Sequence, residues 1–259
     1  MSLSNNQNFQ IHQLLKTKIL EKLNKYSRET VSMPFHVRLL GYDRMAIYSF
    51  VQSINTTLGT SIFEQTAKIV AEPHFDCAQS HYKLEGYFTD AAKIASNKLI
   101  AGLRSVKQKA NIQNENLLIR QASFTGETTD KRKSIVDLYL KKSNTEYFIE
   151  LKTVKPNIDV FEKTKEKLLL WKSLRYSTRE NLDIKAFVAF PYNPEAPKPY
   201  ARWTLQGMFD LDNEVKVEDE FWDMLGGKGT FKELLSVFEQ TGIELCPYID
   251  NKFKDLREK

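Results

Sequence analysis

Two carboxylates and a lysine converge on one point of the stretch "VDLYLKKSNTEYFIELK" at residues 136–152. Apolar and polar residues alternate on either side of a turn-prone "SN", which predicts two strands joined by a tight turn. A turn with that centre places Asp137 directly opposite Glu150, with Cβ atoms about 5 Å apart, and Lys152 follows on the same face. Like charges in this position destabilise a sheet, so the register predicts a cation between them.

These residue types suit metal-assisted hydrolysis of a phosphodiester. Carboxylate oxygens are hard ligands, and Mg²⁺ binds through one or two of them together with water and phosphate. The ion activates a water and neutralises charge that develops on the phosphate. Lys152 can contact that water or stabilise the transition state, and the backbone carbonyl of Leu151 is a further candidate ligand for the metal.

Composition places the chain among soluble globular proteins of the cytoplasm. It has 259 residues, 41% hydrophobic and 27% charged, with a net charge of +5. Two cysteines exclude a disulfide framework and fit a reducing compartment. No apolar run reaches the length of a membrane span, and the first ten residues are too polar for a signal peptide. Basic residues concentrate in 93–120 and 162–179, on either side of the acidic hairpin, which suits a polyanion held over carboxylates, although solvated helix faces are the simpler explanation.

The first third of the chain has helical periodicity. Apolar residues recur at helical spacing over 8–27. Capping residues predict a helix from Asp43 to Leu58 that Gly59 closes, and another that begins at Thr60 or Ser61. A longer helix is predicted to begin at Thr89.

Strands dominate the middle of the chain. We predict a short strand at 117–121, the two strands of the hairpin, a helix capped by Asp159 and Glu162, and a buried strand at 184–192. After a proline-rich connection, the pattern predicts a strand near 215–218, a helix around Phe221 and a helix from Thr230. The predicted fold is α/β, a mixed sheet in the order helix–strand–strand–strand–helix–strand. We divide the chain into an N-terminal helical region (1–88), a catalytic core (89–192) and a C-terminal region packed on the core (193–259), in one compact domain.

This order and the hairpin motif together resemble the PD-(D/E)xK nuclease superfamily. Asp137, followed thirteen positions later by "ELK" at 150–152, matches its signature, with Val136 where the family name has proline. The resemblance implies a restriction-endonuclease-like core in which Asp137, Glu150 and Lys152 are catalytic.

A narrower resemblance covers most of the chain. "PFHVRLLGYDRMAIYSFVQSINTTLGTSIFE" at 34–64, with the hairpin, is similar to Type II restriction endonucleases of the TdeIII/MjaII group. This likeness implies a homodimer that uses Mg²⁺ to cut double-stranded DNA at a short palindrome, with GGNCC as the implied site. It also implies a cognate DNA methyltransferase in the same system.

Further site residues follow from the resemblance. Several restriction enzymes carry an additional acidic residue on a helix upstream of the hairpin, so Glu64 is a candidate metal ligand, with a solvated helical glutamate as the alternative. Arginine and lysine are the side chains that most often read guanine and hold phosphates. The candidate DNA contacts are Lys131, Arg132, Lys133, Arg179 and Arg202.

Other functions remain to be weighed. A repair or recombination nuclease selective for branched DNA could use the same core, and a non-catalytic DNA-binding module could carry the hairpin as a solvated edge. His74, Cys77 and His81 have ligand chemistry for zinc, but a structural site needs a fourth ligand and no other Cys or His lies near them in sequence. We therefore favour the nuclease over these alternatives.

Overall fold

The computed structural model describes residues 2–26, 33–125, 130–153, 157–178, 182–200 and 207–257. Within these ranges the chain forms a five-stranded sheet with helices on both faces. The strands are β1 (Cys77–Phe88), β2 (Asp130–Lys142), β3 (Thr145–Leu151), β4 (Asp183–Phe190) and β5 (Val215–Val217). They lie in chain order, with β1, β2 and β3 antiparallel and β3, β4 and β5 parallel. The predicted mixed α/β fold, with an antiparallel hairpin at its centre, is confirmed.

Helices precede, interrupt and follow the sheet. They are α1 (Asn5–Lys25), α2 (Pro34–Leu40), α3 (Tyr42–Thr57), α4 (Phe63–Ala71), α5 (Asp90–Arg104), α6 (Ile112–Phe124), α7 (Ile158–Tyr176), α8 (Leu211–Glu214), α9 (Asp219–Gly226) and α10 (Thr230–Arg257). None of those in the described ranges is both long and apolar enough to cross a bilayer.

The sheet separates two hydrophobic cores. On one face, which we call the α7 core, Phe148 packs with Trp171 and Leu168. On the other, the α4 core, Ile149 packs with residues of α1, α4, α9 and α10, among them Val70. Burial on both sides explains why β3 and β4 have so few exposed positions.

The hairpin has the predicted register. Leu138 pairs with Ile149, Leu140 with Tyr147, and the last pair closes a turn at Ser143 and Asn144. Ser143 adopts a left-handed φ of 53°. Its backbone N–H donates to Asp76 Oδ2 at 2.6 Å, which ties the turn to the chain before β1.

The strand predicted at 117–121 is wrong. Those residues lie in the middle of α6, which Asn111 caps by accepting a hydrogen bond from the Asn114 N–H at 2.9 Å. A short apolar run does not distinguish a strand from a buried helix segment, and the cap six residues upstream decides for the helix. The first strand of the sheet is instead β1, which lies within residues 1–88, where we expected helices.

β1 lies against α7 at close range. A Cβ at Gly86 would come within 2.2 Å of the Leu174 carbonyl oxygen. Only glycine permits that approach between a strand and a helix backbone. The contact fixes how far α7 sits from the sheet, and α7 carries one of the site residues described below.

Four predicted helix ends are corrected. Gly59 does not close α3, because a π-helical segment (Leu58–Ile62) continues it into α4, so Thr60 and Ser61 form no cap. Gly41, not Asp43, precedes α3. The side chain of Asn157, not Asp159 and Glu162, caps α7. Asp159 and Glu162 instead bind Arg104 on α5. The cap predicted at Thr89, the helix around Phe221 and the strands at 184–192 and 215–218 are confirmed.

Candidate active site

One ammonium group bridges the two carboxylates of the hairpin. The Lys167 Nζ on α7 lies 2.5 Å from Glu150 Oε2 and 3.7 Å from Asp137 Oδ1. The two carboxylates therefore lie close enough to share a cation, as the register predicted. Asp137 Oδ2 also accepts a hydrogen bond from the Leu151 N–H at 2.9 Å, which fixes this carboxylate against β3.

Lys152 joins the same group of side chains. Its Nζ donates to Glu150 Oε1 at 2.6 Å, so both oxygens of that carboxylate face a lysine. The Lys152 N–H donates to the Ala189 carbonyl at 2.9 Å, which extends the pairing of β3 with β4 beyond Leu151. The Lys152 side chain is 25% exposed and that of Glu150 only 5%. The site thus lies at the edge of the core, with Lys152 between it and solvent.

Burial and a neighbouring negative charge both disfavour the ionised form of Asp137. Burial raises the pKa of its carboxyl above the usual value, and the negative charge of Glu150 raises it further. Lys167, the Leu151 N–H and Lys152 partly offset that increase. Because its pKa is raised, ionisation of Asp137 in the folded protein costs more free energy than ionisation of a solvated carboxyl. A bound multivalent cation would offset that cost.

Glu64 lies beside this pair, in the first turn of α4. Its side chain is only 10% exposed. Burial, followed by the charges of Asp137 and Glu150, raises the pKa of Glu64 to about 8. The alternative of a solvated helical glutamate is thereby wrong, whereas a role as metal ligand stays a prediction.

His81 faces Asp137 across the β1–β2 pair. Pairing runs in one register from Ser80 with Leu138 to Tyr82 with Val136, and the rung between them, His81 with Asp137, is the one missing from the described ladder. His81 has a φ of 54°, the left-handed region that costs most side chains free energy.

At this position the alternation of side chains between the two faces of the sheet changes phase in both strands. In β2, Val136 packs in the α7 core but Leu138 packs in the α4 core, although both numbers are even. In β1, Ala78 contacts the α4 core and Leu84 the α7 core. The kink therefore lets one long hairpin contribute to both cores, and it places His81 Nδ1 at 2.9 Å from Glu64 Oε2. Cys77 begins the same strand and His74 lies in the turn before it.

The donor set fits a small divalent cation held by few protein ligands. Glu64 Oε2 is buried, and its polar neighbour is His81 Nδ1 at 2.9 Å. Within the described ranges, no three His, Cys, Asp or Glu side chains are grouped closely enough to hold a metal ion between them. Asp137 and Glu150 are thus the two carboxylates that suit an ion such as Mg²⁺, which keeps water and phosphate in its remaining positions.

The candidate DNA contacts differ in their surroundings. Lys131 and Lys133 are 61% and 71% exposed, and both form ion pairs with Glu85, at 3.6 and 2.7 Å. Arg132 points to the opposite face, 5.2 Å from the centre of the Phe88 ring, and is held there by packing. Lys133 is four residues from Asp137, about 13 Å along the strand. Arg179 and Arg202 lie outside the described residues.

The basic segment 162–179 is not a continuous solvated face. Lys165 and Lys172 are completely buried, and Arg175 is 8% exposed. Arg175 pairs with Glu146 at 2.7 Å. These three cations lie in the interior and are unavailable to DNA, which corrects our expectation for this part of α7.

Sequence reasoning did not place Lys167 or His81 at this site. Lys167 lies four residues before the apolar Trp171, so helical spacing already placed both on one face of α7. That signal could have identified Lys167 as a lysine directed at the sheet. No local signal identified His81, because its contact with Glu64 depends on how α4 packs on the sheet.

Known proteins match this chain over most of its length. The family model described as HinfI, Type II restriction endonuclease, matches residues 3–242. The Type II restriction enzyme HgiEI of Herpetosiphon aurantiacus is 28% identical over 237 residues, which cover 89% of this chain and 84% of that enzyme. The Type II restriction enzyme MjaII of Methanocaldococcus jannaschii is 29% identical over 233 residues, 80% of this chain and 61% of that enzyme. The resemblance to restriction endonucleases is confirmed, and the chain belongs to the HinfI family of Type II restriction endonucleases.

Proposed function

We propose that this restriction endonuclease hydrolyses phosphodiester bonds of duplex DNA with Mg²⁺, through a site of the PD-(D/E)xK type. The observation that carries the proposal is that the ammonium of Lys167 contacts both Asp137 and Glu150 at the accessible end of the hairpin, which shows that the two carboxylates are close enough to share one cation. Two opposed carboxylates gain nothing for a protein that only binds DNA, because they repel phosphates. The geometry therefore favours an enzyme over a binding module.

Each residue of the site has an assigned role. Asp137 and Glu150 hold the ion, with the Leu151 carbonyl as an additional oxygen ligand. When bound, Mg²⁺ supplies an activated water and offsets charge on the phosphate. Lys152 orients that water or donates to a phosphate oxygen, since its ammonium reaches solvent and is anchored on Glu150 at 2.6 Å.

Glu64 is proposed as an additional ligand that joins Asp137 and Glu150 once the ion is bound, since within the described ranges the three side chains are not grouped closely enough beforehand. The negative charges of Asp137 and Glu150 act on the Glu64 carboxyl, and its buried Oε2 faces His81 Nδ1 at 2.9 Å. Near neutral pH a carboxyl with a pKa of about 8 is largely protonated. Binding of a divalent cation beside it would therefore release a proton.

The DNA is proposed to lie along the exposed face of β1 and β2 that leads to the site. Lys131 and Lys133 stand on this face, and a phosphate can replace Glu85 as their partner. A palindromic target requires two-fold symmetry in the reader, so we propose a homodimer. From the sequence resemblance to the TdeIII/MjaII group, the proposed site is GGNCC, the proposed compartment is the cytoplasm of a bacterium or archaeon, and the proposed partner is a cognate methyltransferase that protects the host DNA.

Incubation of plasmid DNA with the protein and Mg²⁺ tests the proposal. A restriction enzyme gives discrete bands, and sequencing their ends gives both the site and the stagger of the cut. The Asp137→Asn protein is the matched control and should leave the plasmid intact. Smearing or cutting only at branched DNA would show a repair-type nuclease instead, and an unchanged plasmid would contradict a Mg²⁺-dependent nuclease.

A further inference from the structure

Lys167 occupies the position that a divalent cation needs. Its ammonium contacts Glu150 Oε2 at 2.5 Å and Asp137 Oδ1 at 3.7 Å, the same two carboxylates assigned to the ion. Mg²⁺ needs its ligand oxygens at about 2.0–2.1 Å, and the Lys167 ammonium, bonded to Glu150 and lying between the two carboxylates, occupies the space that such an ion would fill. Two cations cannot be held there together, so one must leave when the other binds.

Trp171 holds Lys167 in that position. The Lys167 Nζ lies 4.9 Å from the centre of the Trp171 ring, within the range of a cation–π contact. The ring itself is completely buried, and its Nε1–H donates to Ser134 Oγ at 2.9 Å. A fixed aromatic ring therefore supports an ammonium whose side chain remains 30% exposed. Lys167 has both a defined resting position and a route to solvent.

We propose that Lys167 is an internal counter-ion of Asp137 and Glu150, which a divalent cation displaces when it binds. The inference rests on the proposed metal-dependent function. It explains how two opposed carboxylates coexist at neutral pH in the folded protein without a metal. It also means that the affinity for metal is reduced by the free energy needed to remove the lysine.

Calorimetric titration of Ca²⁺ into the DNA-free protein tests this competition. Lys167→Met keeps the length of the side chain and its contact with the ring but removes the ammonium. Because a hydrogen bond to a charged group contributes about 1.5–3 kcal/mol, we expect Ca²⁺ to bind roughly tenfold or more tightly. Lys163→Met removes the same charge from an exposed position one turn earlier on α7, and should change the affinity less than about twofold.

Tryptophan fluorescence gives a second readout that is independent of cleavage. Displacement of the ammonium from the Trp171 ring should change the emission of the wild-type protein as Ca²⁺ is added. The change should disappear in Lys167→Met and in Trp171→Phe. It should persist in Trp222→Phe, because Trp222 is buried in the α4 core, where its Nε1–H donates to the Pro191 carbonyl.

The outcomes separate this inference from the proposed function. If wild type binds Ca²⁺, Asp137→Asn does not, and Lys167→Met binds no more tightly than wild type, the metal site stands and the counter-ion role is refuted. If Lys167→Met binds measurably where wild type does not, the competition is supported. If neither protein binds a divalent cation, the inference and the metal-dependent function both fail.

Discussion

Two groups of charged side chains that include lysines of α7 have the same balance of charge and different access to water. The edge cluster consists of Asp137, Glu150, Lys152 and Lys167, and the core cluster consists of Glu115, Lys165, Lys172 and Glu214. Each pairs two carboxylates with two lysines. Side chains of the core cluster are 0–3% exposed, whereas Asp137, Lys152 and Lys167 in the edge cluster are 18–30% exposed.

Access to water decides what each cluster can do. Lys165 is bonded to Glu214 and lies 2.5 Å from Glu115, and its side chain is completely buried. The lysines of the core cluster are permanent partners of its carboxylates and hold α6, α7 and α8 together. The lysines of the edge cluster can move into solvent and leave their oxygens to another cation. The same residue types therefore serve as structure in one place and as a site in the other.

Removal of a site carboxylate should have the largest effect. Asp137→Asn keeps the shape of the side chain and the bond from the Leu151 N–H but removes a ligand charge. We expect Mg²⁺-dependent cleavage to fall by several orders of magnitude, while duplex binding in EDTA persists or tightens because a charge that repels phosphate is lost. The raised pKa of Asp137 means that its ionisation weakens the fold, so the apo variant should be at least as stable as wild type.

A paired gel-shift and cleavage assay, with urea unfolding in EDTA, measures all three effects. Cutting near the wild-type rate would show that Asp137 is not part of the catalytic site. The edge cluster would then have no function that distinguishes it from the core cluster.

Loss of Lys152 should separate chemistry from metal binding. Lys152→Ala removes the ammonium on Glu150 Oε1 but leaves every oxygen ligand in place. Cleavage should be abolished, while Ca²⁺ should bind as well as in wild type or better. If Lys152→Ala lost Ca²⁺ binding together with cleavage, Lys152 would be a structural partner like those of the core cluster.

Mutations in the core cluster should lower the free energy of unfolding. Lys165→Met leaves Glu115 and Glu214 buried without their shared cation, and breaking a buried ion pair from one side destabilises proteins by about 3–5 kcal/mol. The exposed Lys163→Met is the control and should change the free energy of unfolding by less than about 0.5 kcal/mol. Chemical denaturation compares the two. An equal effect of both variants would mean that burial does not distinguish these lysines.

Sequence reasoning reached the hairpin because its determinants are local. Period-two alternation and a Ser143–Asn144 turn fix the register, and the register alone brings Asp137 opposite Glu150. β1 was missed because its alternation reverses phase at His81, so that neither half of the strand has a long pattern. The kink is invisible until β1 and β2 are paired.

The surroundings of the site depend on packing between distant segments. Glu64 was reached through a resemblance, and only the docking of α4 on the sheet shows that it is buried beside Asp137. Likewise, lysines of α7 that look alike in sequence divide into Lys167 at the site and Lys165 in the interior. Which face of α7 meets which element is a tertiary fact, so charge counts along the helix could not distinguish them.

The smallest predicted effect concerns the second lysine of the core cluster and its dependence on pH. Burial lowers the pKa of Lys172 from 10.5 to about 8, and the positive charge of Lys165 lowers it further, while Glu214, 3.6 Å from its Nζ, offsets part of that shift. Between these pH values the unfolded chain holds more protons than the folded one, so Lys172 makes the fold more stable as pH rises from about 8 to 10.5 and carries its full penalty below 8. In Lys172→Met this dependence is absent. In urea unfolding of both proteins, the free energy of unfolding of wild type should therefore increase relative to that of Lys172→Met by on the order of 2 kcal/mol between pH 7.5 and 10. Lys163→Met, exposed and unpaired with the core cluster, should show no such change. A difference between Lys172→Met and wild type that stayed constant with pH would mean that Lys172 is not desolvated, and the core cluster would then be as open to water as the edge cluster.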